Sequence, residues 1–430
     1  MKVLISSIGS RGDVQPLLAL ALELRALGND VSLCVAPNFK EWVESFGLRC
    51  IPIGPDLKTM QGGAAQTKDG KPVKPTMKQM KEMAASTVRD QFQVLTEAAR
   101  GCDLIVAATA LQIAARSIAE TLKIPYVFVG FSPSVFPSPD YPPHAPPPLG
   151  FQYPRGLPSF ANRLLWKMDG WMFSVAFLTT LNEERAKLGL PRVENVQRHV
   201  FTDRPWLAAD PVLAPAAPAA DLEIVQTGAW LLPNQSALPD ELEKFLSGGE
   251  PPVYFGFGSM QAADQTGKLL IDAARAAGLR SILSQGWGNL RLADAGADCI
   301  SIGDVNHEKL FPRVAAVVHH GGAGTTTTAS KSGSPQVIVP HIYDQYYFSR
   351  RVQELGAGVP CSARKALTSE GLASALRECS RPEIKEGARA LAARIVPDGA
   401  KIAAQRLVSE FGKHRLNGEG LEAQHHLGSL

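Results

Sequence analysis

The residues best suited to chemistry lie in Val317–Gln345, which reads VVHHGGAGTTTTASKSGSPQVIVPHIYDQ. An apolar run, Ala315–Val318, ends in His319-His320 and a turn carrying Gly321, Gly322 and Gly324. The run Thr325–Ser332 reads as a helix start, because hydroxyl side chains suit caps and first turns. A second apolar strand, Gln336–Pro340, leads to Asp344-Gln345. This is one βαβ unit, and a helix N-terminus at the end of a parallel strand presents unpaired N–H groups to phosphate. Each such charge–dipole contact contributes roughly 0.3–1 kcal/mol, so several must act together. The glycines let a ligand approach the backbone closely, and Thr325 and Thr326 add hydroxyl donors. Asp344 and Gln345 sit on the same rim, where a carboxylate and an amide can accept from and donate to sugar hydroxyls. Phosphate cradle and hydroxyl clamp together indicate a nucleotide-sugar site.

A second candidate is Asp13, in Gly9–Pro16 (GSRGDVQP), beside a helix expected to begin at Val14 or Gln15. A carboxylate there has two uses. It is an ordinary N-cap, or it draws a proton from an attacking hydroxyl, general-base help worth about 10²–10⁴-fold. Other chemistries fail on particular residues. A dinucleotide-binding turn needs GxGxxG and an acidic residue ending the second strand; here the turn is GSRGD and the strand ends Ala36-Pro37-Asn38. A P-loop fails at Gly70-Lys71-Pro72, and a zinc-hydrolase helix at His307-Glu308, where Phe311 stands in place of a second histidine. No carboxylate cluster suggests a metal.

The elements that must position these residues form two similar halves. The first has strand Val3–Ser7, helix Gln15–Leu27, strand Val31–Val35, strand Leu104–Ala107, helical stretch Gln112–Leu122 and strand Tyr126–Val129. The second has strand Val253–Gly256, helix Gly267–Ala277, strand Arg280–Leu283, then Ala315–Val318 and Gln336–Val339. Strands alternating with helices imply parallel, doubly wound sheets. The predicted class is α/β, with an N-terminal domain over 1–212 and a C-terminal domain over 229–400. The Pro/Ala-rich run Leu213–Asp221, within a linker over 213–228, is expected to be exposed. A helix over 401–414 is expected to cross back to the first domain, with a frayed tail over 415–430. The Pro-rich Phe136–Leu149 reads as an ordered loop beside a cleft, ahead of a helix around Trp166–Phe177. Residues 55–81 read as a loop of the kind that carries specificity.

Composition narrows the class without choosing within it. The 430 residues are 45% hydrophobic, enough for two or three cores. A net charge of +3, spread along the chain, argues against nucleic acid. Six cysteines, Cys34, Cys50, Cys102, Cys299, Cys361 and Cys379, lie far apart and read as reduced thiols. The opening MKVLISSIG meets Gly9 and Arg11 too early for a signal peptide, and no apolar run approaches the ~20 residues of a membrane span. A cytoplasmic enzyme is expected.

The motifs, in order, resemble those of nucleotide-sugar-dependent glycosyltransferases of the two-Rossmann (GT-B) type, in particular the glycopeptide-antibiotic glycosyltransferases and sterol glucosyltransferases. The resemblance covers nearly the whole chain: Gly9–Pro16, Thr227–Trp230, Val253–Ser259, Val305–Val318 and the glycine-rich turn. It implies two Rossmann-like domains facing a central cleft, acceptor in the first and donor in the second. By the same resemblance His320 meets the diphosphate, while His319 reads as a buried, hydrogen-bonded strand end. Ser259 is a second phosphate contact or a helix cap, and Val305 lies at the base. Plant members stack a Trp on the base; this chain offers Trp287, which is equally suited to a core. Asp344 and Gln345 bind the sugar, Arg11 and Gly12 line the cleft, and Asp13 is the base where many plant members have His. The implied reaction is inverting and metal-independent, with no tightly bound cofactor and a UDP- or dTDP-sugar as donor. A glucose-like hexose is favoured. Phe131, Phe136 and His144, with Tyr141, Phe151, Trp166 and Trp171, suggest a hydrophobic acceptor such as a sterol, polyketide, phenolic or glycopeptide-type product. Peripheral membrane contact is compatible with this reading. A UDP-sugar epimerase of the same fold and an inactive sugar-nucleotide-binding protein are the alternatives.

Overall fold

The computed structural model describes residues 1–56, 76–145, 152–154, 156–219, 221–258, 266–286, 296–361 and 367–412. The elements of the first half are β1 (Lys2–Ser7), α1 (Arg11–Ala26), β2 (Asp30–Val35), α2 (Lys40–Glu44), β3 (Arg49–Pro52), α3 (Met77–Ala98), β4 (Leu104–Ala108), α4 (Ala115–Leu122), β5 (Tyr126–Gly130), α5 (Ser159–Lys187), α6 (Val196–Phe201), β6 (Trp206–Leu207) and β7 (Val225–Gln226). Those of the second are α7 (Asp240–Ser247), β8 (Val253–Gly256), α8 (Thr266–Ala276), β9 (Ser281–Ser284), β10 (Cys299–Ile302), α9 (His307–Leu310), β11 (Ala316–His319), α10 (Ala323–Ser332), β12 (Gln336–Ile338), α11 (Gln345–Glu354), β13 (Gly358–Pro360), α12 (Ser369–Cys379), α13 (Pro382–Ala392) and α14 (Gly399–Phe411).

Two parallel sheets result. The first runs β3-β2-β1-β4-β5-β6-β7 and the second β10-β9-β8-β11-β12-β13. Every pairing is parallel, for example Ile5 with Leu33 and with Val106, and Val318 with Phe255 and with Val337. The strands are almost wholly apolar because helices cover both faces, as a doubly wound sheet requires. In each sheet the chain reverses its direction of travel once, between β1 and β4 and between β8 and β11. Ligands of open α/β sheets bind at the carboxyl ends of strands beside such a switch. The tips of β1 and β11 are where Asp13 and His320 stand.

Two boundaries depart from expectation. Helix α1 begins at Arg11, four residues before Gln15, so Pro16 lies inside it. A proline there crowds the carbonyl of the residue four back, and that residue is the exposed Gly12, which has no side chain to crowd further. The expected linker over 213–228 is not free: Leu213 and Ala214 are fully buried, and Val225–Gln226 is the edge strand of the first sheet. Their carbonyl neighbourhood is held from the other half, Arg351 Nε donating to Leu213 O (3.1 Å) and Nη2 to Val212 O (3.2 Å). The Pro-rich loop is ordered over 136–145, with Trp166 Nε1 donating to Tyr141 O; residues 146–151 lie outside the described residues, as do 57–75 and 413–430.

The last helix joins the halves. Ala403, Ala404 and Leu407 of α14 are fully buried in a core shared with Val14, Leu17, Leu18 and Ala21 of α1. The alanines let the two helices approach closely. The crossing is tight at the start of α14, where a Cβ on Gly399 would strike the backbone of Gly228 and Ala229. A Leu407→Ala variant leaves a cavity in this shared core and should lose about 2–5 kcal/mol of unfolding free energy. Chemical denaturation checks this; a loss below about 0.5 kcal/mol would mean that α14 is not held on α1.

Candidate active site

The turn after β1 is built by its own side chains. Ser10 is the N-cap of α1, with extended backbone, and Asp13 is the third helical residue. Asp13 is therefore not itself the cap. Its Oδ2 accepts from Ser10 N–H (2.6 Å) and from Ser10 Oγ–H (3.1 Å), the reciprocal arm of a capping box. The carboxyl lies against Gly9, where any Cβ would overlap it. Recession from water raises the Asp13 pKa, and the two Ser10 bonds offset part of that rise.

The turn after β11 divides its two histidines. His319 is fully buried: Nε2 meets Gln336 Oε1 (2.9 Å) and Nδ1 accepts from Gly321 N–H (3.1 Å). That pair of contacts makes Nε2 the protonated nitrogen, with Nδ1 as acceptor. His320 differs. Its ring packs beside Gly322 and Gly258, and its buried Nδ1 has no hydrogen-bond partner among the described residues. Buried polar atoms are normally satisfied, so this nitrogen is the atom that a ligand would complete. Burial lowers its pKa to about 4, with His341 contributing, so the ring is neutral near pH 7. Gly321 holds φ of +94° and has Ile338 and Gln345 close against it, so only glycine makes this turn. Gly322 caps α10, which leaves the N–H groups of Ala323, Gly324 and Thr325 without carbonyls of the first turn. Thr326 is not a phosphate donor: its hydroxyl is fully buried and donates to Gly322 O (2.8 Å).

Asp344 caps α11 on the same rim. Its pKa is raised to about 7, first by burial and second by repulsion from Asp13, with the backbone N–H groups of Asp344 and Gln345 offsetting part. The repulsion places the two carboxylates across one cleft. Gln345 is buried, and its Oε1 accepts from His341 N–H (2.8 Å) and Ile342 N–H (3.1 Å). That oxygen holds the loop.

The two rims meet directly. Arg11 Nη1 lies 2.7 Å from Asp304 Oδ2, and its guanidinium stands 4.9 Å from the Trp42 ring. Val305, next to Asp304, is half-buried against the Leu310–Phe311 cluster. Gly12 is exposed at the mouth. His144 Nε2 contacts Ser134 Oγ (3.0 Å), and its ring meets Tyr343 of the other half at 6.2 Å. Burial lowers the His144 pKa to about 4. Phe131 is half-buried and meets Trp230 edge-on. Phe136 cannot serve an acceptor. It is fully buried between Phe128 and Phe201, a core residue that its loop position concealed. Trp166 is likewise buried, and Trp171 is exposed on α5. Ser259, Trp287 and Phe151 lie outside the described residues. Sequence reasoning missed Asp304 and Tyr343. Tyr343 holds φ of +48°, a strained conformation that no local composition signalled.

Two family models match the chain. "Glycosyltransferase family 28 N-terminal domain" matches residues 3–137 and "Erythromycin biosynthesis protein CIII-like, C-terminal domain" residues 286–406. Glycosyltransferase GtfE of Amycolatopsis orientalis is 43% identical over 96% of this chain and 99% of its own. The vancomycin aglycone glucosyltransferase of the same organism is 42% identical with the same coverage. A sterol 3-beta-glucosyltransferase of Arabidopsis thaliana is 29% identical over 96% of this chain and 68% of its own. Among solved structures, glycosyltransferase VinC in complex with dTDP superposes with a TM-score of 0.66, at 21% identity, over 95% of this chain and 99% of that one. With a TM-score of 0.69 and 18% identity, the glycosyltransferase of kitacinnamycin covers 95% and 99%. Two facing Rossmann-like domains and close identity over almost the full length make this chain an enzyme of the GT-B glycosyltransferase family, of the glycopeptide-antibiotic type.

Proposed function

We propose that this enzyme moves a hexose, glucose-like by the Asp344-Gln345 pair, from a UDP- or dTDP-sugar to a hydroxyl of a hydrophobic acceptor, with inversion at the anomeric carbon. The observation that carries this reading is the facing of Asp13 and Asp344 across one cleft, with the unsatisfied His320 and the α10 N-terminus beside them. In this reading the second half takes the donor and the first half the acceptor. The diphosphate rests on the N–H groups of Ala323, Gly324 and Thr325, an arrangement that favours negative charge. His320 supplies one further hydrogen bond from a neutral ring, which does not trap the leaving diphosphate as a fixed cation would.

Asp13 is the proposed base. Both of its bonds to Ser10 fall on Oδ2, which leaves Oδ1 to face the acceptor hydroxyl. Its raised pKa makes the carboxylate a stronger base than an exposed one. The hydroxyl oxygen attacks the anomeric carbon, its proton passes to Asp13, and the bond to the diphosphate oxygen breaks with its electrons on the leaving group. Asp344 and Gln345 hold sugar hydroxyls. Phe131, Tyr343 and His144 line the acceptor side in this reading. A sterol, polyketide, phenolic or glycopeptide-type aglycone fits its apolar character.

UDP or dTDP should raise the melting temperature, by about 2.7 kcal/mol of stabilisation at a hundredfold excess over Kd. His320→Ala should shrink that shift and leave the unliganded melting point in place. No shift with any nucleoside diphosphate would remove the donor site. For the base, Asp13→Asn keeps an oxygen for Ser10 N–H and so keeps the turn, while turnover with either donor should fall by roughly 10²–10⁴-fold. Near-native turnover in that variant would make the carboxylate structural, and His144 would be the next base to test.

Asp344 predicts a pH dependence of stability. Its folded pKa of about 7 stands above the ordinary 3.8. Between these values the folded state keeps a proton that the unfolded chain has lost, so stability falls as pH rises through this window and stays reduced above it. Asp344→Asn removes that loss. The variant should melt above the parent at about pH 8 and level with it at about pH 4. A difference that does not change with pH would show that the carboxyl is not the buried, repelled group described above.

A further inference from the structure

The loop from β12 to α11 carries two exposed apolar side chains, Ile342 at 37% and Tyr343 at 49%. Tyr343 holds φ of +48°, a left-handed conformation that suits glycine and is uncommon for a bulky side chain. The turn closes without the ring. Gln345 Oε1 accepts from the N–H groups of His341 and Ile342, and Gln345 N–H donates to Ile342 O (3.2 Å). These bonds fix the backbone on both sides of Tyr343, and a glycine at 343 would adopt the same φ at no steric cost. A bulky residue kept where the backbone favours glycine points to a use for its side chain.

That ring reaches across the cleft. It meets His144 of the first half edge-on, with centroids 6.2 Å apart and planes at 83°. His144 is held in place: its Nε2 contacts Ser134 Oγ (3.0 Å), which contacts Ser132 Oγ (2.7 Å), and both serines are buried just beyond β5. The same loop is tied down by Tyr141 Oη, which donates to Pro133 O, and by Trp166 Nε1, which donates to Tyr141 O (2.9 Å). Burial keeps the His144 ring neutral near pH 7. The two rings therefore form an uncharged pair, His144 fixed at the back and Tyr343 half open in front. Such a surface suits a flat ring, which packs offset or edge-on against an aromatic side chain, better than an ion or an open chain. The next residue after Tyr343 is Asp344, so a ring lying on Tyr343 lies beside the sugar clamp of the proposed reaction. Resting on that reading, we propose that Tyr343 is an acceptor contact supplied by the donor half, selecting acceptors that carry a flat ring beside the reacting hydroxyl.

The probe is a hydroxycoumarin, a flat ring bearing one hydroxyl, titrated by its fluorescence into the full chain with and without dTDP. Octanol serves as the open-chain competitor. Tyr343→Gly should weaken coumarin binding by roughly threefold to tenfold, the loss of one aromatic pair, and leave octanol binding as it was. Tyr343→Phe keeps the ring and should bind the coumarin as the parent does. The Tyr343→Gly melting temperature should stay level with the parent, because the relieved strain offsets the lost ring contact and the extra chain freedom of glycine. The melting shift with dTDP should be the same in all three proteins. That shift tests the donor reading, and the coumarin titration alone decides this inference. It is overturned if the parent does not bind the coumarin, if Tyr343→Gly binds it as tightly as the parent, or if octanol binding falls by the same factor. A melting temperature that falls together with coumarin binding in Tyr343→Gly also overturns it, since the ring would then be a structural prop.

Discussion

All strands of both sheets run parallel, so every group placed just beyond a strand tip leaves its sheet on one rim. That constraint organises the rest of the molecule. Helix N-termini with unpaired N–H groups collect on the same rims as the strand tips, and the reversal of strand order opens a crevice there. When two such sheets are turned rim to rim, the turns after β1 and β11 meet without any long-range reach by a side chain. Helices α1 and α10 approach one another at this point, and Arg11 touches Asp304. That ion pair is partly exposed on both sides, so it contributes little to stability. Its effect is geometric, since it sets one rim against the other.

The electrostatics of the cleft follow from this meeting. Asp13 and Asp344 would each be unremarkable carboxylates at an exposed helix start. Burial raises both pKa values, and repulsion from Asp13 adds to the rise at Asp344. The neighbouring histidines are driven the other way by the same burial and are neutral near pH 7. In the proposed reading, helix-end dipoles and neutral rings meet the diphosphate, and carboxyl groups meet hydroxyls. Substituting any one of these shifts its neighbours, so double variants at Asp13 and Asp344 should not behave additively.

The cores explain why the two halves do not swing freely. Tyr347, Phe348 and Val352 of α11 share a cluster with Phe136, Phe201 and Leu213 of the first half. Helix α14 shares another with α1. Val396 N–H donates to the buried Asp210 carboxylate at 2.8 Å, a further tie across the join. The segment expected to be a linker is thus pinned at both ends. A Pro/Ala-rich composition says only that a stretch forms no regular element; it does not say whether the stretch is buried.

Much was legible in the chain itself. Apolar runs bounded by turn residues located the long strands, because a parallel strand covered on both faces admits few polar side chains. The glycine-rich turn marked the phosphate-type helix end, because backbone approach and positive φ demand glycine whatever surrounds it. Ordered motifs over the full length identified the family. What the tertiary structure alone decided concerns which atoms are already spent. Thr326 and Gln345 have the right chemistry by type, yet Thr326 Oγ1 and Gln345 Oε1 are bonded to backbone. Phe136 stands in a loop beside the cleft, yet it fills the core. Asp13 was read as preceding the helix, yet it stands in the first turn of α1. The pairing of Arg11 with Asp304, nearly three hundred positions along the chain, leaves no local trace at all. Residue type and spacing specify local backbone and available chemistry; burial and hydrogen-bond partners depend on contacts between distant segments, and these decide which of that chemistry remains open to a ligand.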